Sequence, residues 1–134
     1  MIIRRIHIRR WEAIFLCSFD KADEPEVMDA LYWADAPGSI LSRVSENIDA
    51  GRPNEGFCYS NIDLRRTVLG IGKTTTGPEY LDTAVHEIVH IVQAIAQADG
   101  IDPFSEDFAY LAGDISHEIS DIVCEKSCPR CGCE

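Results

Sequence analysis

The segment from Glu79 to Ala98, EYLDTAVHEIVHIVQAIAQA, constrains the fold more than any other part of the chain. Pro78 stands near its first helical position and Asp99-Gly100 closes it, so it reads as one long helix. At about 100° per residue, Asp82, His86, His90, Gln93 and Gln97 fall in one narrow stripe. Leu81, Ala84, Val85, Ile88, Val89, Ile91, Val92 and Ile95 fill most of the opposite arc. A helix that is apolar nearly all round is expected to be buried. Two histidines and Glu87 would then sit where unpaired polar groups are costly, and a metal would remove that cost.

At 134 residues, with 46% hydrophobic and 26% charged residues, the chain is expected to form one domain around one modest core. Its net charge of −11 argues against a nucleic-acid partner, because such binding rests on neutralising phosphates. Arg4, Arg5, Arg9 and Arg10 are a local exception that fits a sheet edge or rim. No segment has the length of a membrane-spanning helix. The N-terminal apolar run, Ala13 to Cys17, is too short for a signal peptide and lacks a small-x-small cleavage site. These features predict a cytoplasmic protein that does not engage a membrane.

Residues 2–8 and Trp11–Phe19 read as one long strand bulged near Arg9-Arg10, or as two strands in succession. Asp23-Glu24-Pro25 starts a helix that runs to Pro37-Gly38, and a second helix spans about Ile40 to Ala50. Glu55–Ser60 and Arg65–Ile71 form a hairpin around Asn61-Ile62-Asp63. A last helix is expected from Asp102-Pro103 or Ser105 to about Cys124. Strands and helices mix without βαβ alternation, which predicts an α+β class.

Two catalytic patterns compete. Gly72-Lys73-Thr74 ends like a phosphate-binding loop, but Thr67 stands where the first glycine of such a loop belongs. No later strand could supply a magnesium aspartate, so the nucleotide reading fails. Gly70 and Gly72 are instead expected to thin a strand edge so that another backbone approaches. His86-Glu87-Ile88-Val89-His90 is the stronger pattern. Its spacing sets two imidazoles one turn apart for a shared zinc, with Glu87 beside them to take a proton from a zinc-bound water.

The stretch TAVHEIVHIV resembles the extended HExxH motif of the zincin-type metallopeptidases, and the chain is also similar to small HExxH proteins of bacteria and their phages. The resemblance covers a strand before the helix and a second helix after it. It implies a zincin-like domain at residues 1–123, with a sheet packed on the HExxH helix and zinc as cofactor. It also implies that the Arg65–Ile71 strand is an edge that pairs with an extended peptide or protein substrate. The metzincin third histidine is absent, since Gln93 and Ala96 replace its glycine and histidine.

The helix that follows aligns Glu106, Tyr110, Gly113 and His117 in one narrow stripe. The resemblance to glutamate-zincins implies Glu106 as third ligand; Asp107, from an aspartate-zincin-like D-x-x-Y, and His117 remain alternatives. Tyr110 is a candidate catalytic hydroxyl that donates to an oxyanion, and Gly113 suggests close helix approach. Cys124, Cys128, Cys131 and Cys133 crowd the tail at 124–134 and form a candidate second metal site, a free-thiol tail, or a thiol that reaches the zinc. Without a secretion signal they are expected to be reduced. The reading that follows is a zinc-dependent hydrolase, a peptidase first. Its alternative is a non-catalytic zinc-binding regulatory or interaction protein on the same scaffold.

Overall fold

The segment Trp11–Phe19, WEAIFLCSF, is apolar at nearly every position because both of its faces are covered. Ala13, Phe15 and Cys17 point into one apolar cluster, and Ile14, Leu16 and Phe19 into another. This strand is therefore interior to a sheet with helices on each side. The computed structural model describes residues 1–51 and 56–127.

Among the described residues the elements run β1 (Ile2–Ile8), β2 (Trp11–Phe19), α1 (Glu24–Trp33), α2 (Gly38–Asp49), β3 (Phe57–Asn61), β4 (Arg66–Gly72), α3 (Gly77–Asp99), α4 (Glu106–Glu118) and α5 (Ser120–Ser127). The sheet has the order β1-β2-β4-β3. Two antiparallel hairpins, β1/β2 and β3/β4, join through the parallel pair β2/β4, in which Glu12 lies opposite Arg66. The class is α+β with a mixed sheet. No helix among the described residues is long and apolar enough to cross a membrane.

One face of the sheet carries α1 and α2, packed through Val27, Leu31, Val44 and Ile48 against Ile14, Leu16 and Val68. The other carries α3, whose Ala84, Ile88, Ile91 and Ile95 meet Phe15, Leu69 and Ile71. Burying one such aliphatic side chain contributes about 1.5–3 kcal/mol, so this seam fixes how α3 is rotated about its axis. Thr76 caps the helix by accepting from the Glu79 N–H at 3.3 Å. Gly100 ends it in the left-handed region at φ 69°, which glycine takes without strain.

Several expectations change. Of the two readings of the N-terminal segment, two strands in succession is the one that holds: they form a hairpin, with Arg9 and Arg10 at φ 49° and 60° in the turn. The arginines do lie on the rim, since β1 is an edge. α3 is not buried all round: Leu81, Val85 and Val89 are 44–53% exposed, because α4 and α5 cover only part of the arc away from the sheet. β4 is interior, between β2 and β3, so the edge on this side is β3 and not the Arg65–Ile71 segment. Gly70 makes room for the Phe57 ring, where a Cβ would collide, rather than for a backbone. The last helix breaks at Ile119, and that bend lets Ile115 and Ile119 reach the same core as Ile122 on α5. α5 continues past the expected boundary at 123, and its Ser127 carbonyl lies against Gly77.

Asp99 ties two turns to the end of α3. Its carboxylate accepts from Arg9 Nε at 2.9 Å and from Arg65 Nη1 at 2.6 Å. Arg65, like Arg9 and Arg10, has a left-handed backbone, at φ 53°, a conformation that costs about 1–2 kcal/mol per non-glycine residue. The two arginines, hydrogen bonds first, hold the Asp99 carboxyl below its ordinary range. A lowered folded-state pKa gives stability that is present above the unfolded pKa and lost as pH falls. We expect Asp99→Asn to cost about 1 kcal/mol at pH 7, given the partial exposure of both arginines. The gap between variant and wild type should close as the pH drops below about 4 in urea unfolding series; a gap that persists there would mean the clamp works through packing.

Candidate metal centre

His86 and His90 lie one turn apart on α3 because the sequence spaces them by four, and the buried seam opposite turns them to the surface. The His86 side chain is 68% exposed. Their Nε2 atoms approach to 3.3 Å, with the rings at 71°. Two nitrogens each about 2.0–2.1 Å from one tetrahedral zinc stand about 3.3–3.4 Å apart, so the pair already has the separation that a shared zinc requires. A ring-to-ring hydrogen bond is the competing explanation. It needs opposite tautomers in the two rings, and 3.3 Å is long for an N–H donor.

Glu87, about 100° round the helix, turns toward the core and is buried at 6% exposure. Its Oε1 lies 3.9 Å from His86 Nε2. Burial raises its carboxyl above the ordinary range, while His86 and His90 pull it down. The chain at residue 56 passes so close that a Cβ on Gly56 would lie 2.7 Å from Glu87 Cγ and 2.7 Å from Thr83 Cγ2. Glycine is therefore required there if Glu87 is to keep its place.

Beside this group a cavity of about 440 Å³ opens along β3. Glu87, His90 and Ala94 form its α3 wall, Gly56 to Ser60 its floor, and Ile40, Arg43, Val44 and Asn47 of α2 its far wall. Cys58 faces α3 from β3. Burial, then the charge of Glu87, pushes its thiol up to about 12, so it stays a neutral thiol at pH 7.

The expected third ligand is not brought to the histidines. Among the described residues no three His, Cys, Asp or Glu side chains converge as a metal site. The reason is the packing of α4. Leu111 and Ile115 turn inward, and Glu106, Tyr110, Gly113 and His117 lie about 100–160° round from Leu111, toward solvent. Glu106, Asp107 and His117 are exposed, and Tyr110 is 68% exposed. α4 also begins beside the C-terminal end of α3, well beyond His90. Gly113 serves no close approach, since a Cβ there meets nothing within 4 Å. Cys124 is disulfide-bonded, unlike the reduced thiol expected of it. Cys128, Cys131 and Cys133 lie outside the described residues, as does Glu55.

Sequence reasoning missed Gly56, Cys58, Arg43 and the β3 edge. The one available signal was a glycine opening the alternating run FCYSN, which marks a strand where something approaches closely. Comparison of the chain with protein-family models, with curated proteins and with solved structures finds no match.

We expect Gly56→Ala to destabilise the fold by about 1–3 kcal/mol, since backbone or the Glu87 side chain must shift. Urea unfolding reads this directly. A loss below about 0.5 kcal/mol would show that Glu87 gives way without cost.

Proposed function

We propose that this chain is a zinc-dependent hydrolase with a zincin-like site, acting on peptide bonds. The observation that carries the reading is the 3.3 Å convergence of His86 and His90 Nε2 on a surface that borders a cleft. His86 and His90 would hold the metal, and no third protein ligand is assigned. Zinc, when bound, supplies a Lewis acid and brings the pKa of a water toward 7.

The chain's own residues do the rest. Glu87 is held within 3.9 Å of His86 Nε2 by Gly56 and by burial, so its carboxylate is the group that takes the proton of the attacking water. It then returns that proton to the leaving amine. Among the described residues β3 pairs with β4 on one side only, so its outer backbone groups are available to an extended substrate, which would lie across the cleft as an added strand. This moves the substrate edge from β4, where the sequence suggested it, to β3. Burial of Glu87 supports hydrolysis over a purely binding role, because a site kept only to hold metal has no use for a buried carboxylate beside it.

Metal content and hydrolysis of a mixed quenched-peptide pool test the reading together. We expect about one zinc equivalent in the wild type, lost in His86→Ala/His90→Ala. Glu87→Gln should keep the zinc and lose at least about a hundred-fold in hydrolysis. Equal zinc in the wild type and the double variant would remove the metal centre. Full hydrolysis by Glu87→Gln would remove Glu87 as the base.

A further inference from the structure

Ile40, Arg43, Val44 and Asn47 follow the i, i+3, i+4, i+7 spacing of a single helical face, and that face of α2 lines the cleft over β3. Ile40 and Val44 do what such a face ordinarily does, packing with Phe57 and Tyr59 against the sheet. Arg43 breaks the pattern. It is an exposed cation at the margin of the packing stripe, next to Val44, where it lines the cleft. It makes no ion pair or hydrogen bond among the described residues. Arg5, Arg10 and Arg66 likewise lack a carboxylate partner among the described residues, but of these four only Arg43 lines the cleft beside Glu87 and His90. Arg9, Arg65 and Arg4, by contrast, are all paired.

The strand alternation fixes what Arg43 can meet. Phe57 and Tyr59 face the α2 side of the sheet and Cys58 the α3 side. A peptide added along β3 must likewise send alternate side chains to the two walls. On the α3 wall they meet His90 and Ala94, with the Glu87 carboxyl. On the α2 wall they meet the apolar floor of Ile40 and Val44, with Arg43 and Asn47 as hydrogen-bonding groups. The cleft thus has one acidic and one basic wall, and a planar guanidinium suits a carboxylate.

We propose that Arg43 is a specificity-determining residue, and that the cleft selects extended peptides with an acidic side chain directed at α2. The inference rests on the peptide-hydrolase reading for its substrate, yet it is a statement about binding and can be tested apart from turnover. The protein is the full chain carrying Glu87→Gln, so that no substrate is consumed. The probes are short fluorescein-labelled peptides, identical except for Glu, Ala or Lys placed at each position in turn, read by anisotropy.

One position should favour Glu over Lys by about three- to ten-fold, the size expected where an exposed cation attracts one charge and repels the other. Arg43→Ala should abolish that preference, and Arg43→Glu should reverse it toward Lys. Circular dichroism of the two variants should match the parent, since Arg43 is exposed. No preference for Glu at any position, failure of every peptide to bind, or a preference that survives both Arg43 variants would overturn the proposal. Hydrolysis of the mixed pool by the protein with Glu87 intact separates the two readings. Turnover without acid selectivity sinks only the role of Arg43, whereas Arg43-dependent selectivity without turnover sinks only the hydrolase.

Discussion

The rotation of α3 about its own axis decides everything else at this site. Ala84, Ile88, Ile91 and Ile95 lock one line of the helix onto Phe15, Leu69 and Ile71. Once that line is fixed, helical geometry leaves no freedom: Glu87 must fall at the margin of the core, and His86 and His90 must fall outside it. A turn of even one residue's angle would bury a histidine and expose the carboxylate. The apolar seam therefore sets the polarity of the centre, although none of its side chains takes part in the chemistry.

The sheet contributes a second constraint. β2 and β4 are covered on both faces and flanked on both sides, so neither can present backbone to a ligand. Among the described residues β3 is paired on one side only, and it runs beside α3 where Gly56 permits close contact with Glu87. Cleft, edge and carboxylate thus meet because a glycine stands at the entry to an edge strand. Polar order inside the sheet reinforces the alignment. Trp11 Nε1 donates to Thr67 Oγ1 at 2.8 Å, and Thr67 Oγ1 lies 2.7 Å from Ser60 Oγ. That chain links β2, β4 and β3 through groups that would otherwise be buried without partners.

Elements with strong local signals were legible in the sequence. The capped, glycine-terminated α3, the hairpin of β3 and β4, and the helix opened by Glu24-Pro25 all stand where punctuation and periodicity place them. What escaped was set by tertiary packing. Leu81, Val85 and Val89 read as core, but whether an apolar arc is covered depends on where α4 and α5 land, which periodicity does not encode. The stripe from Glu106 to His117 was correctly seen as one face, yet the stronger apolar face opposite claims the contact with α3 and turns the stripe to solvent. The order of strands in the sheet was likewise invisible. Hydrophobicity alone could not say that β2 inserts beside β4 and leaves β3 outside. Arg43 went unnoticed because its helix reads as an ordinary amphipathic segment.

The parallel pairing of β2 with β4 has a consequence for how this chain acquires its fold. The two hairpins are local and can form early, but the ladder between them joins Glu12 to Arg66 across both α1 and α2, and closing so long a loop costs entropy before any contact returns it. During synthesis β2 must wait, apolar on both faces, until β4 has emerged, and the cover on its second face arrives only with α3. The waiting strand is the point at which a nascent chain of this design is most exposed to pairing with the wrong neighbour. The arginine-bearing β1, already folded against one side of it, leaves only the other side open during that interval.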